Sequence, residues 1–242
     1  MPLIEIGAIP IQLQRKAIKN LHISVLPPDG RVRVSAPKLM TDTAIRMAVI
    51  SRIPWIKKQQ HAFAQQPRQS ERDMVSGECH YLWGKRYRLD VTETVGKHEV
   101  KCGHEYLYLS VNPATTTKNK ALVLADFYRH TLKMRIAELL PIWEKKIGVA
   151  TADWGVKHMK TRWGSCNIQA KRIWLNLELA KKPPECLEYV LVHELVHLLE
   201  RHHNERFRAH MDRLLPNWRE RQNVLNQMPL AHHSSHNQTS PD

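Results

Sequence analysis

Cysteine is scarce in this chain: four in 242 residues, at Cys79, Cys102, Cys166 and Cys186, with no C-x-x-C pair among them. That scatter argues against a disulfide framework or a cysteine-rich zinc site and reads as reduced thiols in a cytoplasmic protein. Long apolar runs are missing too. Nothing approaches the roughly 20 residues of a membrane helix, so no membrane association is expected. The start, Met1-Pro2-Leu3-Ile4-Glu5, has no basic stretch followed by an apolar one, which argues against a signal peptide. Acidic residues are few beside basic ones, 23 Asp and Glu to 37 Lys and Arg, which leaves a net charge of +14. Such a balance favours anionic partners, nucleic acid among them, in salt-sensitive association. No DNA-reading motif accompanies the charge, so a basic, soluble surface is the simpler reading. No internal repeat is visible.

What is present is His193-Glu194-Leu195-Val196-His197. Two histidines four apart on an α-helix lie on one face, about one turn from each other, so both imidazoles can reach one metal ion. Glu194 projects to another side, where its carboxylate can touch a metal-bound water but is poorly placed as a ligand. Zinc lowers the pKa of its water to about 7, and a neighbouring carboxylate can take the proton. This is hydrolytic chemistry. Pro183-Pro184-Glu185 supplies a helix start, and Leu187, Val190, Leu191, Leu195 and Leu198 follow at helical spacing. The motif is therefore expected on a buried helix, where two histidines and a glutamate are costly without a metal or partners.

A catalytic zinc usually has a third protein ligand and keeps its fourth position open. Glu200 lies on the histidine face but is about 10 Å further along the axis from His193, so the chain must fold back to supply that ligand. His202, His203 and His210 are the nearby choices. His203 has five residues between itself and His197, the spacing of H-E-x-x-H-x-x-G-x-x-H proteases, although Glu200 stands where that pattern has glycine. A different class takes a downstream glutamate, and Glu220 is its candidate here. Spacing favours His203.

The fold class read from the pattern is α+β. Leu21, Ile23 and Val25, then Val32 and Val34, alternate with polar residues around Pro27-Pro28-Asp29-Gly30 and predict a hairpin. Thr41-Asp42 can cap a helix to about Ser51, and Pro54 opens a second helical segment through Phe63. Residues 66–73 are polar and read as a surface connection. Further strands are expected at Tyr81–Trp83, Tyr87–Val91 and Tyr106–Val111, then a long helix over 118–147 bent near Pro141. Short strands are expected near Val156–Thr161 and Arg172–Leu179, the second an edge on which an extended peptide can add. Between them, Arg162-Trp163-Gly164-Ser165-Cys166-Asn167 reads either as part of the site or as a hairpin turn with a buried tryptophan. The expected organisation is a β-rich region with a helical insert at 1–115, a catalytic region at 116–228 and a disordered tail at 229–242, where His232, His233 and His236 are not expected to form a site.

Arg31 through Pro37, Trp83-Gly84-Lys85-Arg86-Tyr87, Thr161 through Cys166 and His193 through Phe207 together resemble the YgjP-like metallopeptidases, relatives of the SprT, Wss and Spartan proteases. The resemblance implies a zincin-like core with an active-site helix beside a small β-sheet. It also implies Zn²⁺ on His193, His197 and His203, with Glu194 as catalytic base and acid and a peptide or protein as substrate. An alternative of another class is a DNA-associated protein, either a protease of DNA-bound proteins or a binding protein whose metal is mainly structural.

Overall fold

The computed structural model describes residues 3–26, 30–65, 72–159 and 161–227. Pro27–Asp29 of the expected hairpin turn, most of the polar connection at 66–73 and the expected disordered tail lie outside them. The chain forms two compact units that divide between residues 70 and 71.

The first unit contains β1 (Leu3–Ile6), β2 (Ile9–Lys16), β3 (His22–Leu26), β4 (Arg31–Pro37), α1 (Asp42–Ile50) and α2 (Ile53–Gln65). Its sheet runs β1-β2-β4-β3, with the outer pairs antiparallel and β2 parallel to β4. The period-2 alternation in β4 turns Val32, Val34 and Ala36 inward beside Ile11 of β2, and Ile45, Val49 and Ile56 of the helices join them in one core. Thr41 caps α1, its side chain accepting from the Ala44 amide at 3.3 Å.

The second unit opens with β5 (Cys79–Leu82), β6 (Lys85–Glu93), β7 (Glu99–Cys102) and β8 (Tyr106–Val111), in the order β5-β6-β8-β7. Here again the outer pairs are antiparallel and the central pair, β6 with β8, is parallel. The correspondence goes further. Each first hairpin turns through two residues of positive φ, Gly7-Ala8 at 58° and 60° and Trp83-Gly84 at 50° and 78°. Residues 11–16 pair with 32–37 in one sheet and 88–93 with 106–111 in the other. Thr41 caps the helix after the first sheet, and Thr116 the helix after the second. The two sheets are a topological repeat that alternation alone does not reveal, because a strand constrains which side a residue faces and not which residue it is.

α3 (Thr117–Ile147) follows and ends at Gly148, whose φ of 82° suits a glycine C-cap. Then come β9 (Asp153–Lys157), β10 (Gly164–Asn167), β11 (Arg172–Asn176), a 3-10 turn at Leu177–Lys181, α4 (Pro184–Val196), α5 (Glu205–Leu214) and α6 (Trp218–Gln227). Leu89, Leu107 and Leu109 of the second sheet share one core with Leu132 and Ile136 of α3 and Leu187 of α4. The division expected near residue 115 therefore falls inside this unit. No described helix is long and apolar enough to cross a membrane.

His80 on β5 is 2% exposed. Burial, reinforced by the charges of Arg72 and Lys181, pushes its imidazole down to about 3, although Glu78 Oε2 lies 3.3 Å from Nε2. The folded state holds this ring neutral, so stability is full above the ordinary pKa of 6.5 and falls as pH drops from there toward 3. Between pH 7 and pH 5 the expected loss from this group is about 2 kcal/mol. In denaturant titrations of the full chain at those two pH values, His80→Gln should flatten the dependence by that amount. An unchanged slope would refute the assignment.

Candidate metal centre

α4 begins at Pro184 with Pro183 before it and Glu185 in its first turn, a start that needs no side-chain cap. Leu187, Val190, Leu191, Val192, Leu195 and Val196 are all 3% exposed or less, so the helix is buried on nearly every side. Burial then dominates the polar residues that share it. Glu194 is 6% exposed, and desolvation pushes its carboxyl up to about 8 against the opposing charge of Arg162. Burial also pushes His193 down to about 3, with His197 and His203 adding to the effect, and it lowers His197.

Three imidazoles converge. His193 lies in the last turn of α4, and His197 is its C-cap. His203 comes from the segment between α4 and α5, and its Nε2 lies 3.0 Å from Nε2 of both His193 and His197. His202, His210 and Glu220 are not brought to this point; among the described residues these three histidines are the one cluster of metal-binding side chains. The fold-back needs no glycine at Glu200. Glu200 N and Leu199 N both bond to Val196 O at 2.9 Å, Leu198 N bonds to Leu195 O, and no residue from Leu198 to Asn204 has positive φ. Asn204 then caps α5 by accepting from the Phe207 amide at 3.0 Å. The Phe207 ring, 2% exposed, stands 4.8 to 4.9 Å from all three imidazole centroids and forms the floor under them.

The donor set fits a cation. His197 Nδ1 lies 3.1 Å from the Glu200 carbonyl, an acceptor only, so its proton sits on Nδ1 and Nε2 presents a lone pair. His203 Nε2 faces that nitrogen and His193 Nε2 together, and it carries at most one proton. One proton cannot serve both contacts, and His193 Nδ1 has no partner among the described residues, so a neutral triad leaves at least one contact without a hydrogen bond, which a shared cation relieves.

β10 passes beside the carboxylate. A Cβ on Gly164 would sit 2.5 Å from Glu194 Oε1 and 2.8 Å from its Cγ, so a side chain there would displace the Glu194 carboxylate. Nothing in the linear spacing ties Gly164 to Glu194, 30 positions away, and the sequence reading missed it. Arg162 through Cys166 line the same cavity of about 610 Å³ as the three histidines and Glu194. This segment is not merely a hairpin turn. It leads into a strand, and the β10–β11 turn falls later, around Lys171 with φ 45°. The expectation that Arg172–Leu179 forms a sheet edge is corrected: β11 is the central strand, because β9 pairs parallel to it on one side and β10 antiparallel on the other. The edge beside the site is β10.

Comparison with solved structures finds the zymogen of the metallopeptidase abylysin from Pyrococcus abyssi, at 19% identity and TM-score 0.35, over 37% of this chain and 90% of that one. The zymogen of jannalysin from Methanocaldococcus jannaschii matches at 19% identity and TM-score 0.35, over 38% of this chain and 94% of that one. No curated protein sequence matches the chain. The model of the YgjP-like metallopeptidase domain matches residues 19–228, and the chain belongs to that family.

Proposed function

We propose that this metallopeptidase is a zinc-dependent endopeptidase in which His193, His197 and His203 hold the metal and Glu194 is the general base and acid. The observation that carries the reading is the convergence of three Nε2 atoms, at 3.0 Å from His203 to each of the others, in one cavity with a buried carboxylate. Zinc, when bound, supplies Lewis acidity toward a carbonyl and brings the pKa of water near neutrality. Glu194 takes the proton of the attacking water on a carboxylate oxygen and passes it to the leaving amine. Among the described residues no strand pairs with the outer edge of β10, where an extended peptide would add as a further strand. Four free, scattered cysteines favour a reducing compartment such as the cytoplasm. The test is digestion of casein by the zinc-loaded chain with and without a chelator; stoichiometric zinc without cleavage would overturn the reading.

The position of Glu194 over Gly164 has a direct consequence. Gly164→Ala should leave zinc content and folding intact while kcat falls by about 10²-fold, since a shift of about 1 Å at a catalytic group has that effect. Metal analysis and circular dichroism beside the casein assay check it. Wild-type turnover in Gly164→Ala would mean that Glu194 has no need of this cradle.

The second reading, a DNA-associated protein, draws on uneven charge. Residues 1–70 hold eleven Lys and Arg against three Asp and Glu. Salt-sensitive gel shifts with duplex DNA that survive Glu194→Gln, without proteolysis of any protein, would favour it.

A further inference from the structure

We propose that Arg162 and Arg201 form a subsite that selects substrates with an acidic side chain beside the scissile bond. The inference rests on the peptidase reading of the same cavity. Both arginines line that cavity, and Glu194 is the only acid among its described lining residues. Neither guanidinium stands in an ion pair with a carboxylate among the described residues. Both residues are exposed, so the cavity presents two permanent cations to an entering ligand, and a concave wall carrying one sign of charge attracts the opposite sign.

Both arginines also stem from anchored backbone. Asn176, fully buried, donates from Nδ2 to the Arg162 carbonyl at 2.7 Å and to the Met159 carbonyl at 3.0 Å. Its Oδ1 accepts from the Met159 amide at 3.3 Å, so one side-chain amide ties the segment that leads into β10. Arg201 follows Glu200, whose carbonyl accepts from His197 Nδ1 at 3.1 Å. These hydrogen bonds lessen the ordering that a ligand would have to impose. A guanidinium pairs with a carboxylate through two parallel hydrogen bonds, a geometry that an amide reproduces poorly and an ammonium opposes. The remaining polar lining, Ser165, Cys166, Tyr189, Gln222 and Asn226, is neutral and does not offset this preference.

The experiment begins with a peptide library digested by the zinc-loaded wild-type chain, from which a cleaved sequence is taken. Matched peptides then carry Glu, Gln or Lys at each position flanking the scissile bond. At one position kcat/KM should favour Glu over Gln by about tenfold and over Lys by more. Arg162→Gln should shrink the ratio, and Arg201→Glu should invert the order of Glu and Lys. Zinc-loaded Glu194→Gln should bind fluorescein-labelled versions of the same peptides, or of a random set if none is cleaved, in the same order by anisotropy. Equal rates for all three peptides, with cleavage intact, overturn the subsite and leave the peptidase reading standing. Charge-ordered binding without cleavage by the wild-type chain supports the subsite and overturns the peptidase reading. Absence of both binding and cleavage overturns both.

Discussion

Glu194→Gln is expected to keep a full complement of zinc while losing about 10²- to 10⁴-fold in kcat, the range lost with a positioned general base. Glutamine has nearly the shape of glutamate, so it fills the space above Gly164 without the clash that a Cβ at that glycine would create. It cannot accept a proton from water. The substitution also removes an ionisable group from a site that is 6% exposed, where burial pushes the carboxyl up to about 8. Metal-free Glu194→Gln should therefore match or exceed the wild-type chain in resistance to denaturant near pH 9, where the native carboxylate is charged. Loss of catalysis with stability held or gained would separate a chemical role from a structural one. Full activity on a cleaved substrate would remove Glu194 from the mechanism.

His203→Ala is expected to lose stoichiometric zinc on dialysis, whereas His202→Ala and Glu220→Ala keep it. The helix pair alone leaves most of the metal's coordination to water, and affinity falls steeply when one of three protein ligands is removed. His203 Nε2 meets both others, at 3.0 Å each, whereas His202 and Glu220 lie outside the cluster. Metal analysis of the three purified variants at neutral pH decides between them. Zinc retained in His203→Ala and lost in Glu220→Ala would move the ligand set to the glutamate class.

Several features follow from local chemistry and were legible in the chain. The four-residue separation of His193 and His197 places both on one helical face wherever the helix lies. Thr41 before Asp42 makes a cap from its own hydroxyl, and the alternation of β4 sorts Val32, Val34 and Ala36 from Arg31 and Arg33 within seven residues. The scarcity of acids and the scatter of cysteines were likewise complete at the level of composition.

Other features depend on contacts between distant segments, and only the tertiary structure decided them. Spacing favoured His203 as the third residue, but how the backbone closes after Val196 without a glycine, through hydrogen bonds to the Leu195 and Val196 carbonyls, was not in the pattern. The nearness of Gly164 to Glu194 arises because β10 lies at the sheet edge, and that edge exists because β9 takes the other side of β11. A strand's apolar pattern states how many faces are buried, and β11 is covered by neighbours along both edges while its pattern is silent about either. The repeated sheet topology stayed hidden for a related reason. Pairing runs through backbone groups common to all residues, so two segments can share register, turn geometry and capping while their side chains diverge.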